Sequence, residues 1–84
     1  MKKKILNILK KKLNLKYINV QKENEYYKII AVGEIFLNKN EVHKQKMIYS
    51  HLLKYIKNNK IHAISIKTYS TKEWKKINNK KQLS

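Results

Sequence analysis

Eighty-four residues carry 21 Lys, no Arg, five Glu, no Asp, no Cys, one Gly and no Pro, for a formal net charge of +16. That length suits one small domain burying about 60% of its unfolded surface, and 42% hydrophobic residues suffice for a thin two-layer core and are too many for a disordered tail. Without Cys the chain has no disulfide framework, no Cys-rich zinc site, no thiol nucleophile and no thiolates of its own for an iron–sulfur cluster.

The charge points toward phosphate, because clustered cations release counterions from a polyanion. Yet Lys, Asn and Ile, all encoded by A/T-rich codons, make up 43 of the 84 residues. Genome composition produces that pattern without selection for a polyanion, and Arg, whose fork reads phosphate geometry, is missing.

The start Met1-Lys-Lys-Lys-Ile-Leu-Asn-Ile-Leu-Lys-Lys-Lys has only a five-residue apolar run, interrupted by Asn7, and no small-residue cleavage site follows it. No stretch approaches the roughly 20 apolar residues of a membrane span. The expectation is a soluble, cytoplasmic protein that is not exported. Ile5, Ile8, Leu9 and Leu13 recur at helical spacing and predict an amphipathic first helix with a solvated lysine face. Tyr17–Lys22 alternates with Ile18 and Val20 inward, Glu23-Asn24-Glu25 is a polar turn, and the β-branched run Tyr27–Gly33 completes a hairpin.

After a connection at Leu37–Asn40, the stripe Val42, Gln45, Ile48, Tyr49, Leu52, Tyr55 and Ile56 predicts one helix over Glu41–Lys57. Asn58-Asn59-Lys60 breaks it, and Ile61–Thr68 alternates as a third strand. Ser70-Thr-Lys-Glu73 has the form of a capping box and opens a last helix in which Trp74 and Ile77 pack. From Asn78 to Ser84 the tail is polar and expected to fray. Residues 1–84 thus read as one domain of the α/β (α+β) class, in the order αββαβα, with a small sheet covered by helices.

Chemistry-bearing residues are few. No nucleophile-and-base spacing stands out, and one Gly cannot build a phosphate loop. His43 and His51 lie eight residues apart on the predicted helix, about 12 Å along its axis, too far for one metal. His62 stands apart at the start of the third strand beside a turn. On residue type alone a lone His is more often a packing residue than a ligand. For nucleic acid, six Tyr among 21 Lys offer stacking and charge, but core periodicity accounts for Tyr17, Tyr27, Tyr49 and Tyr55. K-homology domains share the αββαβ order, and their GxxG clamp cannot form here.

Val20 through Trp74 resembles the BolA family, especially its short IbaG-like (YrbA) branch. The resemblance is carried by Ile30-Ala-Val-Gly-Glu-Ile-Phe36, by Lys44-Gln45 followed by Tyr49, by Asn59-Lys-Ile-His-Ala-Ile-Ser-Ile-Lys-Thr-Tyr69 and by Glu73-Trp74. It implies a fold related to class II K-homology domains, with a three-stranded mixed sheet and no enzymatic activity. It also implies a monothiol glutaredoxin partner and a [2Fe–2S] cluster shared with that partner and glutathione, toward which this chain offers His62. Imidazole in place of thiolate raises the potential of such a cluster, as in Rieske-type centres.

The family's second ligand position, a His or Cys in or just after the first hairpin loop, corresponds to Glu25-Tyr26-Tyr27. Tyr26 takes the matching place and would ligate as a phenolate, against a reference pKa of about 10; Glu23 or Glu25 offers a harder oxygen. Ser65, Lys67, Thr68, Tyr69 and Ser70 are the expected partner-facing surroundings. Some members are described as DNA-binding regulators; for that alternative the candidates are Lys44, Lys46, Lys54, Lys57 and Lys60, with Lys67 on the third strand. The homodimer state stays open.

Overall fold

The computed structural model describes residues 1–83, with side chains described through residue 78. Its elements are α1 (Lys2–Lys12), β1 (Tyr17–Glu23), β2 (Tyr26–Val32), a 3-10 turn (Glu34–Phe36), α2 (Glu41–Tyr49), a second 3-10 turn (Ser50–Leu52), α3 (Leu53–Lys57), β3 (Ala63–Tyr69) and α4 (Thr71–Leu83). The expected fraying concerns 78–84; α4 is assigned to Leu83, while the side chains from 79 onward and Ser84 lie outside the described residues.

The three strands lie in the order β1-β2-β3, with β1 antiparallel and β3 parallel to the central β2. A two-residue turn joins β1 to β2, closing with Glu23 opposite Tyr26, and Asn24 takes the left-handed backbone there at φ 57°. Short polar Asn tolerates that region because its side chain can hydrogen-bond locally.

Alternation assigns the two sheet faces. Ile18, Val20, Tyr27, Ile29, Ala31, Ile64, Ile66 and Thr68 share one of them, as the register pairs Val20 with Ile29 and Ile29 with Ile66. Ile5 and Leu9 of α1, Ile48, Leu52, Phe36 and Ile61 complete a core with the buried members of that face. Leu6 and Leu13 pack beside it, so the stripe of α1 runs through Leu6 rather than Ile8.

The region predicted as one helix from Glu41 to Lys57 is two helices around a 3-10 turn. Leu52 marks the joint, at φ −110° and ψ 0°, fully buried, with Tyr55 and Ile56 of α3 against the core. Val42, placed in the stripe, is 64% exposed, and Tyr49 also faces solvent. Gln45 explains why a polar residue sits on that stripe. Its amide donates to the Ile66 carbonyl at 2.7 Å. The Tyr69 carbonyl faces β2, accepting from Gly33 N–H at 3.0 Å. By alternation the Ile66 carbonyl points away from β2, so α2 ties down the outer edge of β3.

Glu34–Phe36 is a turn that periodicity does not reveal, and it delivers Phe36 into the core with no exposure. Gly33 precedes it with extended backbone. A Cβ at that position would stand 3.2 Å from the Asn14 carbonyl oxygen, so any side chain there would press on the neighbouring backbone segment.

The other face of the sheet carries Tyr17, Asn19, Gln21, Lys28, Ile30, Ser65, Lys67 and Tyr69. Trp74 of α4 covers its far end: the indole stacks on Tyr17 and tilts against Tyr69, each at 5.4 Å between ring centres. Tyr17 therefore belongs to this aromatic cluster rather than to the core. No helix of the described residues is long and apolar enough to cross a membrane.

Candidate functional site

His62 lies one residue before β3, in the connection from α3, rather than inside the strand expected to begin at Ile61. Ile61 is buried and anchored, its N–H donating to the Tyr55 carbonyl at 3.0 Å, together with that of Lys60 at 2.9 Å. The chain leaves this anchor and enters β3 beside β2, in a register that sets Ala63 against Tyr26. One step back along both strands, His62 meets Glu25 of the hairpin turn: His62 Nε2 lies 3.3 Å from Glu25 Oε2. Both side chains are more than half exposed, so the imidazole is accessible from solvent.

The structure thus brings Glu25 to His62 and sends Tyr26 elsewhere. Tyr26 and Tyr27 alternate: Tyr27 is buried on the core face, and Tyr26 lies on the opposite one, its ring 6.0 Å from Lys28 Nζ. Tyr26, expected as the second donor, therefore lies on the face of the sheet opposite the His62–Glu25 pair. Glu23, on the same face as Tyr26, sits 3.7 Å from Lys28. Glu25 was among the oxygens considered from sequence, but its place against His62 depends on the two-residue turn and the parallel register. Among the described residues, no three His, Cys, Asp or Glu side chains gather as a metal site. His43 lies on α2 and His51 in the second 3-10 turn.

Of the expected partner surface, Ser65, Lys67 and Tyr69 are accessible on the outer sheet face, whereas Thr68 and Ser70 are buried. Thr68 faces the core by alternation with Lys67, and its buried Oγ1 has no hydrogen-bond partner. Ser70 caps α4. Its hydroxyl accepts from Glu73 N–H at 3.2 Å while its own N–H donates to Glu73 Oε1 at 2.9 Å, the reciprocal pair expected from the spacing. The side chains of Thr68 and Ser70 are therefore structural rather than contact groups.

Lys44 is corrected too. Expected on a solvated face, it is buried, with Nζ 3.4 Å from Glu41 and 3.8 Å from Glu73. An ammonium taken out of water needs such partners. Glu73 in turn has its carboxyl held below the ordinary value, first by the Ser70 N–H, with Ser70's side chain, Lys44 and Lys76 adding and desolvation opposing. Lys46, Lys54, Lys57 and Lys60 are exposed.

Residues 5–73 match the family model for BolA-like proteins. The chain belongs to the BolA family. It is 40% identical over 70 residues to the acid stress protein IbaG of Escherichia coli K12, covering 83% of each chain. It is 55% identical over 75 residues to a protein of Buchnera aphidicola subsp. Schizaphis graminum, covering 89% of this chain and 94% of the other. The fold matches a crystal structure of a Bol-like protein from Babesia bovis at a TM-score of 0.81 and 20% identity, over 93% of each chain. The three-stranded mixed sheet and its helices are thus the BolA arrangement. In this BolA-family chain the accessible imidazole stands where the hairpin turn and the start of β3 meet.

Proposed function

We propose that this chain is a non-enzymatic adaptor that binds a monothiol glutaredoxin and takes part in assembly or trafficking of a [2Fe–2S] cluster, with His62 as its own ligand to that cargo. The observation that carries this reading is the accessible imidazole backed by a carboxylate, in a BolA-family chain with no Cys. The Glu25 carboxylate, 3.3 Å from His62 Nε2, stands close enough to bias the ring's orientation and leaves Nδ1 as the nitrogen for the cargo. A carboxylate beside the other ring nitrogen is a common way of orienting a ligating His. Glu25 in this reading is therefore a positioning residue rather than a second ligand.

The donor set also limits what the chain does alone. One imidazole cannot hold a two-iron cluster, and an exposed carboxylate oxygen is a hard ligand better matched to other ions. All thiolate ligation must come from the partner side, from glutaredoxin and glutathione.

Mixing the chain with a monothiol glutaredoxin, glutathione, iron and sulfide should give absorption and circular-dichroism spectra distinct from the glutaredoxin homodimer. His62→Ala should return them toward the homodimer form, and Glu25→Gln should keep the mixed spectrum with faster cluster loss. A His62→Ala mixture spectrally equal to the parent removes His62 from the cluster. Co-elution of the two apo proteins separates protein pairing from cluster ligation.

A further inference from the structure

The outer face of the sheet holds a second candidate site, on the side of the sheet opposite the core and independent of the reading of His62. The Trp74–Tyr17–Tyr69 cluster occupies one end of this face, and Tyr26 lines a pocket toward the other. The lining of that pocket includes no carboxylate.

The register organises this pocket into two rows across the strands. In one, Gln21 pairs with Lys28 and Lys28 with Ser65; in the next, Asn19 pairs with Ile30 and Ile30 with Lys67. Each row thus offers one ammonium and one primary amide, and the first adds a hydroxyl. Two residues of strand separate the rows, about 6.6 Å. The groups are not locked into one another. Asn19 uses one amide hydrogen toward Tyr17 Oη at 3.2 Å and keeps a second. Lys28 faces Glu23 at 3.7 Å in an exposed pair, a contact worth little in water. Half-buried Ile30 puts an apolar floor in the second row.

Two cationic rows about 6.6 Å apart, the second floored by Ile30, fit a ligand with an anionic group at each end. A compact anion such as sulfate would fill one grip and leave the other empty. A long polyanion would have to continue over the Trp74 cluster at one end or past the Glu23 carboxylate at the other. We propose that this face binds a short aliphatic dicarboxylate of roughly four to six carbons, the length that bridges rows about 6.6 Å apart. One carboxylate sits on Lys28 with Gln21 and Ser65, the other on Lys67 with Asn19 beside Ile30, and the methylenes span the step between the two rows.

The test is a titration of the full chain with glutarate, followed by backbone amide chemical shifts at an ionic strength of about 0.15 M, where loose surface attraction is screened. Saturable shifts should concentrate on Asn19, Gln21, Ile30, Ser65 and Lys67. Lys28→Gln with Lys67→Gln should weaken binding at least tenfold. Lys10→Gln with Lys11→Gln, which removes equal charge from α1, should leave it unchanged. Acetate and sulfate should bind at least tenfold more weakly than glutarate. All four changed lysines are exposed, and Lys67→Gln alone, expected to weaken binding severalfold, serves if the double variant does not fold. Shifts scattered over the lysines of α1 and α2, sulfate equal to glutarate, or undiminished affinity in the variants would overturn the proposal.

Discussion

Glu73→Gln tests whether charge, beyond hydrogen bonding, joins α2 to α4. Gln retains an oxygen that can accept from Ser70 N–H, now at 2.9 Å from Glu73 Oε1, but has no charge for Lys44, whose Nζ is 3.8 Å away. Unit charges at that distance attract by about 4 kcal/mol at an effective dielectric of 20. The Glu73 side chain, however, is 52% exposed, and Glu41 remains 3.4 Å from the same ammonium. Water and the second carboxylate reduce the expected loss to about 1 kcal/mol, roughly a 4–8 °C drop in Tm for a domain of this size. Because the folded state holds the Glu73 carboxyl below its ordinary value, its contribution is present above the unfolded carboxylate pKa and is lost as pH falls through the folded one. Thermal melts of parent and variant should differ near neutral pH and converge in acid. Lys44→Met and Glu73→Gln should also be non-additive in a double-mutant cycle. A stability gap independent of pH, or strict additivity, would show that the ammonium and carboxylate do not interact energetically.

Other substitutions probe the packing that supports both sites. Phe36→Ala leaves a cavity at a fully buried position and should cost about 3–5 kcal/mol in urea denaturation; a loss below about 1 kcal/mol would mean the surroundings collapse to fill it. Gly33→Ala places a methyl 3.2 Å from the Asn14 carbonyl oxygen, and the expected cost is about 1–2 kcal/mol if that segment is held rigidly; unchanged stability would show that it yields by the few tenths of an ångström needed. Gln45→Met removes the 2.7 Å bond to the Ile66 carbonyl, which should cost about 1–2 kcal/mol and speed amide exchange along β3. Exchange equal to the parent would mean that α2 does not secure that edge.

Where local physics decides, the sequence was a good guide. The alternation of Ile18 and Val20, the β-branched run after Tyr27 and the Ser70–Glu73 box each encode an element through side chains a few residues apart. The joint at Leu52 does not announce itself that way. Ile48, Leu52, Tyr55 and Ile56 keep acceptable helical spacing straight through the 3-10 turn, so periodicity alone joins two helices into one. Gln45 shows the same limit from the other side. It sits on an apolar stripe because its partner is a β3 carbonyl 21 positions away, a demand no local pattern contains.

The candidate site divides along the same line. His62 could be singled out because residue type, turn context and the family-like run around it coincide in one segment. Its neighbour could not, since the position the resemblance offers for a second donor falls on Tyr26 while the register brings Glu25 to the start of β3. A shift of one residue along a strand exchanges the two sheet faces, and here it separates a carboxylate beside the imidazole from a phenol on the far side. Charge is sorted just as strongly by the fold. Lys44 and Lys46 are two positions apart and identical in type, yet one ammonium is enclosed by two glutamates and the other stands in solvent. The +16 therefore does not describe a uniform polyanion-binding surface: some lysines hold elements together, and Lys28 and Lys67 are set apart by strand register on a face with their own amide neighbours.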